Sequence, residues 1–141
     1  MQLTAALFRP ARPGQVSPKR QHLESVEQRL YVQRFRLDPK TRDLPACAIP
    51  NGGQRSAREA AILKAEGVSA GAPDWMLFVR GANRIGLALE FKSPTGTGRV
   101  TPAQALWHER LRLHGWAVHI VTSAHEAWEV TMQYLNGSGT P

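Results

Sequence analysis

Apolar and polar residues alternate most regularly in the run Leu87-Ala88-Leu89-Glu90-Phe91-Lys92. A period of two belongs to a β-strand, so Leu87, Leu89 and Phe91 face one way and Ala88, Glu90 and Lys92 the other. Before it, Gly81, Ala82 and Asn83 mark a hairpin-like turn, and Asp74, directly after Pro73, opens the strand that leads into the turn. Elsewhere the spacing is helical. From His22 to Leu37, Leu23, Val26, Leu30 and Leu37 form an apolar stripe, with Glu24, Gln28, Tyr31 and Phe35 on an adjoining face and Glu27 inside the stripe. Ser56 to Glu66 begins with the capping box Ser56-x-x-Glu59 and stops at Gly67. Thr101-Pro102-Ala103-Gln104 opens a helix to about His114, with Thr as cap, Pro at the first helical position and Gln three residues after the cap. Trp116 to Val121 reads as a buried apolar strand, and Ser123-x-x-Glu126 starts a last helix that ends near Leu135. A short strand is expected at Ala46 to Ile49, inside an otherwise turn-rich stretch.

The order helix, short strand, helix, strand, strand, helix, strand, helix predicts one α/β domain around a mixed sheet, with Glu90 and Lys92 at one edge. At 141 residues and 42% hydrophobic content the chain is long enough to bury a core. The organisation expected is a basic arm at 1–21, a folded domain at 22–135 and a frayed tail at 136–141. The arm carries Arg9, Arg12, Lys19 and Arg20, no acid, and Pro10, Pro13 and Pro18, so four of the seven net positive charges lie there. It reads either as a phosphate-touching arm or as an inert tail.

A net charge of +7 and a pI near 10.5 favour a polyanionic partner. No apolar run is long enough to span a bilayer, a lone Cys47 forms no intrachain disulfide, and no secretory signal is apparent. A cytoplasmic protein without a membrane partner is expected. Walker and GxGxxG loops are absent, which leaves nucleotide binding little support. His108, Glu109 and His114 miss the HExxH spacing, so a zinc protease is excluded, and the five histidines read as surface or core residues.

The candidate chemistry lies at the hairpin. Glu90 and Lys92 alone admit an exposed salt-bridging face. Asp74 adds a second acid, and two carboxylates beside a lysine suit a hard divalent cation next to a phosphate. Pro73-Asp74, Glu90-Phe91-Lys92 and Thr101-Pro102-Ala103-Gln104, in this order and with roughly a strand between the first two, resemble the PD-(D/E)xK nuclease superfamily, and its VRR-NUC branch in particular. Glu24-x-x-x-Gln28 resembles that branch's first-helix signature, and Ile49-Pro50-Asn51-Gly52-Gly53 followed by Arg55 resembles its free-standing phage-type members. The similarity spans about Leu23 to Leu135.

The resemblance implies a restriction-endonuclease-like fold and DNA hydrolysis with Mg2+ or Mn2+. It implies Asp74, Glu90, Glu24 and the Phe91 carbonyl as metal ligands, Lys92 as the group that orients the nucleophile or neutralises charge, and Gln104 as an orienting amide. Gln104 also has a complete explanation as a capping residue, and Glu27 competes with Glu24 because an acid within an apolar stripe needs a partner. Arg55, Arg58, Lys64 and Arg99 are candidate DNA contacts, although Arg55, Arg58 and Lys64 also suit a solvated face. By its similarity to phage-type members the chain is expected to be a homodimer acting on branched DNA, four-way junctions first. The rival readings are a nuclease of flap or linear DNA, a non-catalytic basic DNA-binding protein, and a hydrolase of other phosphate esters.

Overall fold

The computed structural model describes residues 18–50, 55–96 and 98–137. Most of the basic arm, the Asn51-Gly52-Gly53 turn and the last four residues lie outside the described residues. The elements are α1 (Pro18–Leu37), β1 (Ala46–Ala48), α2 (Ala57–Ala65), β2 (Trp75–Leu77), β3 (Gly86–Phe91), α3 (Pro102–Leu113), β4 (Trp116–Val121) and α4 (Ala124–Leu135), in the order expected. They form one mixed sheet, β1-β2-β3-β4, antiparallel between the first three strands and parallel between β3 and β4. The parallel pair needs a crossover, and α3 supplies it.

Each face of the sheet has its own core. Leu87, Leu89 and Phe91 join Trp75, Leu77, Ala117 and Val121 beneath α1 and α4. On the other face Met76, Ala88 and Val118 meet Leu111 and Trp116 under α3. Because both faces are covered, every residue of β3 is buried, Glu90 included at 1% exposure. The exposed salt-bridging face is thereby excluded for Glu90 and Lys92, which is 8% exposed.

Helix α1 begins at Pro18 rather than His22 and is turned differently from the stripe its leucines predict. Tyr31 and Phe35 are buried, whereas Leu30 and Leu37 are 50% and 70% exposed. Aromatic rings bury more area than leucine and set the helix phase. Tyr31, Phe35, Trp75 and Phe91 form a tilted and edge-to-face cluster with centroids 5.3–6.0 Å apart. Turning that face inward carries Glu24 and Gln28, two turns and one turn before Tyr31, toward the sheet.

Strand β4 is an edge strand, so it is less enclosed than its apolar run predicts, and Ile120 is 42% exposed. The hairpin between β2 and β3 turns at Ala82 and Asn83, with φ of 47° and 59° and a Gly81–Arg84 bridge on either side. Ser56 and Thr101 both make the reciprocal capping boxes that their sequences predict. Helix α4 is capped by Ser123, and by Glu27 of α1, whose Oε2 accepts the Ala124 N–H at 2.7 Å. That is the partner an acid in the stripe required. No helix among the described residues is long and apolar enough to cross a membrane.

Candidate acidic site at the end of β3

The register pairs Trp75 with Leu89, and one further step sets Asp74 opposite Glu90. Residues opposed across an antiparallel pair point to the same face, so the two carboxylates are neighbours by construction. The site therefore lies on the interior strand β3, at its C-terminal end under α3, and not on an edge strand.

Three contacts hold Asp74. Its Oδ2 accepts the Phe91 N–H at 2.7 Å, while its carbonyl accepts the Ile49 N–H at 3.0 Å and the Gln28 side chain at 3.4 Å. Burial, and then repulsion by Glu90, push the Asp74 carboxyl up to about 7. Glu24 raises it further, against the Phe91 hydrogen bond and the Lys92 charge, which lower it. Glu24 is thus placed beside Asp74. Its Oε1 also lies 3.4 Å from where a side chain on Gly98 would begin.

Glu90 is turned toward α3. Its Oε1 accepts from Gln104 Nε2 and lies 3.2 Å from Lys92 Nζ. Lys92 Nζ donates to Gln104 Oε1 at 2.9 Å, and that same oxygen accepts the Thr101 N–H at 2.9 Å. The capping role and the site role of Gln104 do not exclude one another, because a carbonyl oxygen has two lone pairs and the amide nitrogen is free for Glu90. A backbone contact brings this helix end close. A side chain at Gly71 would start 2.5 Å from the Ala103 carbonyl carbon, and Gly71 holds a φ of 89° that other residues rarely adopt.

His108, one turn beyond Gln104, places Nε2 3.6 Å from Glu90 Oε2. Both atoms are buried without a hydrogen-bond partner among the described residues. Residue spacing alone left His108 among the scattered histidines. The signal that could have marked it is its position four residues after Gln104 on the same helix face.

Of the remaining candidates, Phe91 contributes its side chain to the core and its backbone to Asp74. Arg99 is exposed, next to Gly98. Arg55, Arg58 and Lys64 are not brought to the acids: they are exposed on or beside α2, against which no other element packs among the described residues.

The donor set consists of hard carboxylate oxygens, which suits Mg2+ or Mn2+. Mutual repulsion of buried acids and an unpartnered Glu90 oxygen are what a cation would relieve. Among the described residues no three His, Cys, Asp or Glu side chains converge closely enough to ligate an ion as they stand. The Glu90 carboxylate, directed at Lys92, Gln104 and His108, accounts for this. The residues fit a divalent cation in kind.

No curated protein matches the chain. A solved structure described as a VRR_NUC domain protein superimposes with a TM-score of 0.70 at 26% identity, over 83% of this chain and 91% of the other. The family model for the VRR-NUC domain matches residues 14–125, so the chain belongs to the VRR-NUC domain family, and its function is of the DNA-acting nuclease type.

Proposed function

We propose that this nuclease domain hydrolyses DNA phosphodiester bonds with Mg2+ or Mn2+ held by Asp74 and Glu90, with Glu24 and the Phe91 carbonyl completing the set. The observation that carries this reading is the strand register that sets the Asp74 and Glu90 carboxyls opposite one another on one sheet face, with Lys92 Nζ 3.2 Å from Glu90 Oε1. When bound, the cation would polarise the phosphate and favour hydroxide at neutral pH. The chain's own groups do the rest. Asp74 is fixed by the Phe91 N–H, so that it cannot swing away from Glu90. An ammonium has three N–H donors; Lys92 directs them at Gln104 and Glu90 and keeps one for the attacking water or a phosphate oxygen. Gln104, locked by the Thr101 cap, holds both Lys92 and Glu90 in place. Arg99 and the charge of +7 supply attraction for the DNA backbone.

The proposal extends to a homodimer acting on branched DNA. Helix α2 has nine residues and no element against it among the described residues, and Ile62 is 47% exposed. Isolated helices shorter than about 12 residues are marginal in water, which favours a partner over this region. A twofold pair of sites supplies the two symmetric nicks that a four-way junction requires.

A panel of linear, flap, nicked and four-way DNA, with and without Mg2+, tests the reading. Cleavage requiring Mg2+ and lost in Asp74→Ala is expected, with paired cuts on the junction. Light scattering should give twice the chain mass of 15.6 kDa. Binding that survives chelation, with no cleavage in any divalent metal, would instead identify a non-catalytic DNA-binding protein.

A further inference from the structure

His108 is the single buried residue of α3. The helix turns Gln104, His108 and Leu111 inward, and Leu111 meets Ala88 and Val118 as an apolar residue should. The Nε2 atom of an imidazole at the middle position gives up its hydrogen bond to water, and the apolar packing of this face does not repay it. What it touches is Glu90. The oxygen Oε1 of Glu90 is occupied by Lys92 and Gln104, whereas Oε2 has no hydrogen-bond partner among the described residues and lies 3.6 Å from His108 Nε2. That separation is beyond a hydrogen bond, and a side-chain adjustment of about half an ångström would close it. Oε2 is also the oxygen left to donate to a cation.

We propose that His108 is a positioning residue: its Nε2 sets the rotation of the Glu90 carboxylate, and thereby the affinity of the Asp74–Glu90 pair for a divalent cation, without touching DNA. The inference rests on the metal-dependent reading above. It assigns the imidazole a role that Lys92 and Gln104 do not cover, because both act on the other oxygen. Partners of this kind behind a ligand typically change metal affinity by about 10- to 100-fold.

The test is a Mn2+ titration followed by the electron paramagnetic resonance of the free ion, on the wild type and on His108→Leu, His108→Asn and His108→Gln, with melts in EDTA. His108→Leu is expected to weaken Mn2+ binding about 10-fold or more while its melting temperature in EDTA holds or rises. Gln extends an amide nitrogen to about where imidazole Nε2 sits and should restore most of the affinity; Asn is too short and should not. A melting temperature lowered in both His108→Leu and His108→Gln, with Mn2+ affinity unchanged, would mean a purely structural histidine and overturn the inference. Where His108→Leu does not fold, His108→Asn decides: wild-type affinity in that variant overturns it equally. Wild-type protein that binds no Mn2+ overturns the metal-dependent reading and the inference with it, an outcome visible before any variant is made.

Discussion

Asp74→Asn should make the cation-free protein more stable while removing its cation site. The amide is nearly the same shape as the carboxylate and keeps an oxygen to accept the Phe91 N–H, so the 2.7 Å contact survives. What disappears is the buried negative charge beside Glu90 and Glu24. Raising the carboxyl from 3.8 to about 7 means that the native state holds the Asp74 proton where the unfolded chain has released it. Between those values the native state binds more protons, so wild-type stability falls as pH rises, and above about 7 the whole cost is present. At about 1.36 kcal/mol per pH unit the upper bound is about 4 kcal/mol. An amide also loses hydration on burial, and Lys92 is left with one fewer counter-charge, so a gain of about 1–3 kcal/mol is expected. Urea denaturation in EDTA would read it, with the gap between variant and wild type widening from about pH 5 to about pH 8. Saturating Mn2+ should reverse the order, because only the wild type gains binding energy. A variant that is less stable than wild type in EDTA at about pH 8, or a gap independent of pH, would refute the picture of repelling buried acids.

Two acids of α1 should separate cleanly. Glu24→Gln is expected to abolish cleavage without loss of stability, because Glu24 adds to the repulsion at Asp74. Glu27→Gln should keep cleavage and lose about 0.5–1 kcal/mol, because Glu27 serves the N-terminus of α4; thermal melts and a nicking assay on both variants check this pair. Ala82→Gly should stabilise the fold by up to about 1 kcal/mol in a thermal melt, because Ala82 sits at a φ of 47° that costs an L-residue and not glycine. Its cleavage should equal wild type, since the turn is at the far end of β2 and β3 from Asp74; a loss of activity would show that the hairpin tip takes part.

Capping boxes and strand alternation were legible because they are local. Ser56 and Glu59, and Thr101 and Gln104, satisfy backbone groups within four residues, and no tertiary contact is needed to read them. The face shared by Ala88, Glu90 and Lys92 follows from period two alone. What the sequence could not set was which surface covers that face. Both β3 faces are buried because α3 crosses over from β3 to β4, a long-range fact that turns an apparent surface ion pair into a buried cluster. Likewise the phase of α1 depends on Trp75 and Phe91 being present to receive Tyr31 and Phe35. Counting leucines along α1 has no access to that receiving surface. The same holds for His108, which only the folding of α3 over β3 brings to Glu90.

The two faces of β3 divide the labour of stability and chemistry. Leu87, Leu89 and Phe91 pack into the larger core under α1 and α4, with Tyr31 Oη held to Thr131 Oγ1 at 2.8 Å and Arg34 lying 4.1 Å above the Trp128 ring. Beneath α3 the buried apolar cluster is Met76, Ala88 and Val118, and the interface then becomes Glu90 and Lys92 facing Gln104 and His108 of the helix. Buried ion pairs of this kind rarely add net stability over apolar residues of similar size. A fold that only needed to stand would extend the Ala88 row with aliphatic side chains. The polar cluster is thus held in place by the apolar packing on the opposite face, and substitutions that weaken the Tyr31–Trp75–Phe91 core should disturb the acids through the strand they share. The Phe91 residue makes the coupling direct, since its ring lies in that core and its N–H holds Asp74.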